Sequence, residues 1–199
     1  MITMDDSESV SLKAVILGCD GTGKTSLIRT YLNGEFPGDE EYVPLVTDVV
    51  TVDHCEHKGK HITLSIWDTS SGIDYEEHRN QSYKDADVFV VFFNLVCESD
   101  IRFELIVSRW IEELSPYSQN QIPIILVGAQ TDLRESKRFR MLTSEQGEAM
   151  ALKSGCAKYV EISSLRNEGV IELFSEVVKI GYKYKFRTNR THGTKCLIL

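Results

Sequence analysis

Short apolar runs alternate with amphipathic stretches along this chain, and the alternation predicts its elements. Residues 12–17 (Leu-Lys-Ala-Val-Ile-Leu) are a mostly apolar run with the profile of a buried strand. Residues 46–53 and 60–68 read as two further strands, joined by a turn at His57-Lys58-Gly59. Residues 88–93 (Val-Phe-Val-Val-Phe-Phe) and 122–127 (Ile-Pro-Ile-Ile-Leu-Val) are nearly continuous apolar runs, as strands buried on both faces require. Residues 159–162 give a shorter sixth strand. Helical spacing fills the gaps. Leu27, Ile28, Tyr31 and Leu32 precede an Asn33-Gly34 stop, and residues 101–114, 143–153 and 170–184 carry further helical patterns. Thr143-Ser144-Glu145-Gln146 has the order of a capping box. Strands alternating with helices predict a three-layer α/β fold: a mostly parallel six-stranded sheet with helices on both faces. Ligand loops then gather at the carboxyl ends of the strands.

Composition narrows the picture. The chain has 199 residues, enough for one domain with a self-sufficient core. It is 42% hydrophobic and 26% charged, values typical of soluble globular proteins. A net charge of -8 argues against nucleic acid as a partner. Residues 1–10 are polar and acidic, without an apolar signal core, so a disordered N-terminal tail is expected there. The domain proper is expected over 11–184, followed by a basic tail over 185–199. The five cysteines are odd in number, scattered and without metal-type spacing, which suits a reducing compartment.

The first chemical signal is Gly18-Cys19-Asp20-Gly21-Thr22-Gly23-Lys24-Thr25, which fits the phosphate-loop pattern G-x-x-x-x-G-K-[ST]. Successive backbone N–H groups in such a loop form a cradle for phosphate oxygens. Its position between a strand and a helix is the context the pattern requires, and the helix points its positive end at the same spot. Asp20, Gly21, Thr22, Gly23, Lys24, Thr25 and Ser26 are therefore the expected phosphate-contacting residues. Lys24 reaches the terminal phosphates as a point charge, and the Thr25 hydroxyl is a ligand for Mg²⁺. Cys19 is either an acidified thiol, given the N–H groups and Lys24 around it, or an unreactive loop side chain; the second reading is preferred.

With that loop in place, later segments read as a set. Trp67-Asp68-Thr69 follows an apolar strand, where a Walker-B-type aspartate stands. Val127-Gly128-Ala129-Gln130-Thr131-Asp132-Leu133 ends another. Together with Phe36-Pro37-Gly38, Tyr42-Val43-Pro44, Asp74-Tyr75, Ser82-Tyr83 and the terminal Cys196-Leu197-Ile198-Leu199, they make the chain resemble Rho-family small GTPases of the Ras superfamily, from about residue 12 onward. The resemblance implies the P-loop NTPase fold, GTP or GDP as ligand and Mg²⁺ as cofactor. Asp132 would read the guanine N–H groups, Phe36 would pack edge-on against the base, and Gln130, Ser163 and Ser164 would line the base site. Thr25 and Asp68 would hold the metal. Effector proteins would bind through 42–46 and 74–83, with an exchange factor and a dissociation inhibitor as regulators of a monomer. Cys196 stands four residues from the end and would carry a prenyl group, geranylgeranyl by its final Leu199. Lys183, Lys185, Arg187, Arg190 and Lys195 would add attraction to anionic lipid at the cytoplasmic face of a membrane, with a cytosolic pool.

This chain departs from the family pattern at working positions. Asp20 replaces a glycine beside the terminal phosphate. Leu45 replaces the threonine that binds Mg²⁺ after Tyr-x-Pro; Thr47, two residues on, reads as an ordinary strand residue. Asp-Thr-Ala-Gly-Gln becomes Asp68-Thr69-Ser70-Ser71-Gly72, so Ser71 takes the place of the phosphate-facing glycine and Gly72 that of the water-orienting glutamine. The base-reading Asn/Thr-Lys-x-Asp becomes Ala129-Gln130-Thr131-Asp132, and Ser-Ala-Lys becomes Ser163-Ser164-Leu165. The usual Rho insertion is missing from the short 133–143 segment. No catalytic residue is assigned. The expectation is nucleotide binding with slow hydrolysis of GTP to GDP and phosphate, since alignment of water and an arginine finger carries roughly 10³–10⁵ in rate. Two alternatives stay open: an ordinary cycling GTPase with compensating residues, and a nucleotide-independent interaction module.

Overall fold

The computed structural model describes residues 9–38, 48–136 and 138–192. The expected N-terminal tail, the effector segment 42–46 with Leu45, the neighbouring Thr47, and the lipidation residue Cys196 lie outside the described residues, wholly or nearly so. The elements in chain order are β1 (Val10–Gly18), α1 (Lys24–Asn33), β2 (Asp48–His57), β3 (Lys60–Asp68), α2 (Glu76–Tyr83), β4 (Val88–Asn94), α3 (Asp100–Leu114), β5 (Ile124–Ala129), α4 (Ser144–Lys153), β6 (Lys158–Ile162) and α5 (Val170–His192). They build one six-stranded sheet in the order β2-β3-β1-β4-β5-β6. Only β2 runs antiparallel, paired with β3. The α/β fold read from the alternation is the fold observed.

Each element has a local cause. The β2–β3 hairpin closes through Lys58 (φ 52°) and Gly59 (φ 73°), both left-handed, as the tight turn that matches strand twist demands. Helix α1 stops at Gly34, whose φ of 79° and N–H to the Thr30 carbonyl form a left-handed cap. Thr143 and Gln146 make the reciprocal capping box at the start of α4. The sheet buries one apolar layer under α1 and α5, with Leu27, Ile28, Leu173, Phe174 and Val177 against β1, β3 and β4. A second layer lies under α2, α3 and α4, with Tyr83, Phe103, Val107, Trp110 and Met150. Two cores on opposite faces explain why β4 and β5 read as unbroken apolar runs.

Several elements differ from the sequence pattern. Helix α5 continues to His192, well past the 184 boundary set by its apolar period. Phe186, just past that boundary, lies 4.3 Å from the Tyr182 ring, centroid to centroid, and packs on the layer under α1 and α5. Leu32 is 44% exposed despite its place in the apolar spacing of α1. Helix α2 has no signature in the sequence, because Glu-Glu-His-Arg-Asn-Gln-Ser-Tyr has no apolar period; its inner face is Arg79, Ser82 and Tyr83. Among the described residues no helix is long and apolar enough to cross a membrane.

Candidate functional site

The site forms where β1, β3, β4 and β5 end on one side of the sheet. β1 stops at Gly18, whose φ is 143° and whose added Cβ would lie 2.4 Å from the Phe92 carbonyl oxygen. The chain then loops through Gly21 (φ 71°) and Gly23 (φ 85°), with no atom within 4 Å of a Cβ at either. Glycine is required there by conformation rather than crowding, and the loop faces open space. The buried Thr22 hydroxyl closes the loop by donating to the Cys19 carbonyl at 2.9 Å. Cys19 itself packs against the apolar layer under α3.

Lys24 is only 7% exposed. Its ammonium donates to the carbonyls of Gly18 (2.9 Å) and Cys19 (3.0 Å), so the charge sits across the mouth of the loop. Burial pulls its pKa below the ordinary lysine value, against the opposing attraction of Asp68 and Asp20. An anion in the cradle would reverse that pull and hold the lysine charged. Ser26 lies in the first turn of α1, whose amino end has no side-chain cap.

Behind the loop, β3 pairs in parallel with β1 so that Ile16 stands opposite Asp68. This register brings the Asp68 carboxylate to the Thr25 hydroxyl, which donates to it. A hydroxyl and a carboxylate side by side are a hard oxygen donor set that fits Mg²⁺, which is commonly held by one or two protein oxygens plus substrate phosphates. Thr69 locks the strand end, its N–H (3.2 Å) and hydroxyl (2.8 Å) both donating to the Ile16 carbonyl.

The segment after Asp68 is tied at every residue. The Ser71 hydroxyl donates to Asp20 across the phosphate loop. Arg79, with no exposed surface, donates through Nη1 to the carbonyls of Ser70 (3.0 Å) and Gly72 (2.6 Å). Its Nε and Nη2 grip Glu113 of α3 at 2.8 and 3.1 Å, and the Tyr83 hydroxyl donates to the same carboxylate. Burial pushes the Tyr83 hydroxyl well above the ordinary tyrosine value, reinforced by Glu113. Gly72 contributes only its backbone: its carbonyl accepts from Arg79 and from the Tyr75 N–H.

On the other side, Gln130 adopts a left-handed φ of 68°, and its side-chain amide donates to the Gly21 carbonyl at 3.0 Å. Asn94, at the end of β4, reaches the same carbonyl at 3.4 Å. Asp132 accepts from the fully buried Ser163 hydroxyl at 2.6 Å, and that hydroxyl oxygen accepts from the Arg166 N–H at 3.1 Å. The Ser164 carbonyl accepts from Thr30 of α1 at 3.4 Å. Asn167 donates to the Gly34 carbonyl at 2.9 Å, joining this loop to the one that carries Phe36, whose ring is 38% exposed.

The structure therefore brings Asp20 to Ser71, Thr25 to Asp68, Gln130 to the phosphate loop, and Asp132 to Ser163. Gln130, which stands where the family pattern has lysine and is expected to line the base site, instead ties the loop after β5 to the phosphate loop through its side-chain amide. The sequence places Arg79 and Tyr83 only within the 74–83 effector segment and gives no sign that they converge on Glu113. A basic and an acidic residue on two polar helix faces look solvated in sequence, and no spacing marks them as partners.

A glycine phosphate loop, a buried lysine, a hydroxyl–carboxylate pair beside it and an oriented aspartate on a doubly covered, mostly parallel sheet define a P-loop nucleotide-binding protein. The description of the Ras family matches residues 13–183. The chain is similar to the GTP-binding protein rho2 of Schizosaccharomyces pombe (strain 972 / ATCC 24843), with 35% identity over 98% of this chain and 100% of the relative. It is also similar to the GTP-binding protein rho1 of the same organism, with 33% identity over 94% of this chain and 96% of the relative. The chain belongs to the Ras family and, within it, to the Rho small GTPases.

Proposed function

We propose that this Rho-family protein binds a guanine nucleotide with Mg²⁺, hydrolyses GTP slowly, and signals through effector proteins from the cytoplasmic face of a membrane. The observation that carries the reading is the joining of the phosphate loop, the Thr25–Asp68 pair and the Gln130/Asp132–Ser163 cluster into one site. Both relatives are named as GTP-binding proteins, which supports guanosine as the base. In this reading the loop N–H groups and Lys24 cradle the phosphates, and Thr25 with Asp68 hold the metal. Asp132, oriented by Ser163, accepts from the guanine N–H groups, and Phe36 flanks the base.

Slow hydrolysis follows from what stands beside the terminal phosphate. Gly72 has no side chain with which to orient water, and Asp20 adds negative charge where charge must be neutralised. Mg²⁺, when bound, neutralises phosphate charge. Effectors would meet 42–46 and 74–83, and an exchange factor and a dissociation inhibitor would act on the same face. A prenyl group on Cys196 with the basic carboxyl end would supply the anchor. The roles that fit are cytoskeletal control or membrane traffic.

The test is to identify the nucleotide that co-purifies with the protein, then to follow single-turnover hydrolysis with Mg²⁺. Guanine nucleotide with turnover far below that of ordinary family members is expected. No bound nucleotide, and no affinity at high micromolar ligand, would make the chain an interaction module instead. A family-like rate would make it an ordinary cycling GTPase.

A further inference from the structure

Two of the residues that depart from the family pattern meet each other. Asp20 comes from the phosphate loop and Ser71 from the segment after β3, 51 positions apart, and the Ser71 hydroxyl donates to the Asp20 carboxylate. In the resemblance, both positions are glycines that face the terminal phosphate. Here they are filled by an anionic acceptor and a donor already satisfied by one another.

We propose that the Asp20–Ser71 contact makes this site selective for a guanosine diphosphate over the corresponding triphosphate. The inference rests on the nucleotide-binding reading above and adds which phosphate state the site favours. The carboxylate stands in for the third phosphate as the partner of the 69–72 segment. A triphosphate brings further negative charge to that spot, so the carboxylate must swing away and Ser71 must give up its acceptor.

Ser71 sits on a tethered backbone. It is 8% exposed, and the carbonyls on both sides of it, Ser70 and Gly72, are held by the fully buried Arg79. Thr69 is fixed to Ile16 in the same segment. Asp20 is exposed and is the movable partner, so displacing it lowers triphosphate affinity without abolishing it. A diphosphate leaves the contact intact and keeps Lys24 for its own terminal phosphate. Asp20 also attracts Lys24, the cation a third phosphate would otherwise draw on.

The experiment measures equilibrium affinity of the full-length protein for labelled GDP and for a non-hydrolysable GTP analogue, both with Mg²⁺. The wild-type protein is expected to prefer the diphosphate at least about tenfold. Asp20→Gly should raise the ratio of analogue affinity to diphosphate affinity about tenfold or more. Asp20→Asn keeps an acceptor for Ser71 without the charge and should fall between. Ser71→Ala should raise analogue affinity about threefold in the wild-type background and leave it unchanged in the Asp20→Gly background, which isolates the coupling of the two side chains. Equal affinity of the wild-type protein for both ligands overturns the pair's role alone. So does an Asp20→Gly change that moves both ligands equally, or a Ser71 effect that persists without Asp20. Failure to bind either ligand overturns the nucleotide-binding reading together with it.

Discussion

At Gly18 and Gly72 the same small residue does opposite things. Gly18 has no room: a Cβ would press within 2.4 Å of a backbone carbonyl at a φ of 143°. Gly18→Ala should therefore cost about 2–4 kcal/mol in urea unfolding, from overpacking plus backbone strain. A loss under about 1 kcal/mol would mean that β1 and β4 can part without penalty. At Gly72 a Cβ would meet the Tyr75 ring at 3.0 Å and Ser70 Oγ at an ordinary 3.9 Å, and Tyr75 is 41% exposed, with room to yield. Gly72→Gln combined with Asp20→Gly should therefore fold and should raise single-turnover GTP hydrolysis at least about tenfold. An unchanged rate would show that the missing glutamine and the added carboxylate do not limit turnover. Both glycines are plain in the sequence; which of them tolerates a side chain is not, because that depends on what stands opposite.

Among the elements, α2 depends on polar contacts where its neighbours depend on apolar ones. It rests on α3 through Arg79, Tyr83 and Glu113. Removing one partner of a buried ion pair leaves the other charge uncompensated, so Arg79→Ala should cost about 3–5 kcal/mol. Limited proteolysis should show the 70–83 segment opening before the rest of the sheet. The same contacts give a pH dependence. Burial works to raise the Glu113 pKa, yet the hydrogen bonds from Arg79 and Tyr83 outweigh it and leave the carboxyl below the ordinary glutamate value. A carboxyl with a lowered folded pKa adds stability above its unfolded value, about 4.3, and loses it as pH falls through the folded one. Unfolding free energy should decline as pH drops below about 4, and Glu113→Gln should flatten that decline while lowering stability at neutral pH. An unaltered slope in the variant would assign the acid sensitivity to other carboxylates, Glu161 beside Arg134 first among them.

For the whole molecule, α5 decides where the domain ends. Lys185 bridges to Asp87 at 2.9 Å, and Asp87 also accepts from the Lys13 N–H of β1 at 2.9 Å. Phe186 packs against the layer under α1 and α5, with the Lys60 ammonium 5.3 Å from its ring centroid. Truncation after residue 184 should therefore lower stability by about 1–3 kcal/mol, whereas truncation after residue 192 should leave it unchanged. Equal stability of both truncations would place the boundary at residue 184, as the sequence pattern expects. The net charge of -8 coexists with a basic carboxyl end, so the membrane attraction proposed above would have to be local. Lys185 is engaged by Asp87 and Arg187 by Gln121, so the proposed lipid attraction falls chiefly to Lys183, Arg190 and Lys195. Binding of the prenylated protein to vesicles should need anionic lipid and should weaken as salt is raised. Equal binding to neutral vesicles would leave the prenyl group as the whole anchor.

The sequence by itself determined the alternation of strands and helices, the phosphate loop and the family, because burial period, turn chemistry and motif spacing are local properties. It also located the departures at residues 20, 71, 72 and 130. Tertiary structure decided what those departures do. Asp20 meets Ser71, Gln130 binds back to Gly21, and Arg79 clamps the carbonyls that flank Ser71, all through contacts between segments far apart in the chain. Such pairings arise from parallel strand register and from helices laid across the sheet. No local pattern of polar residues distinguishes a charge that will be buried against a partner from one that will face water.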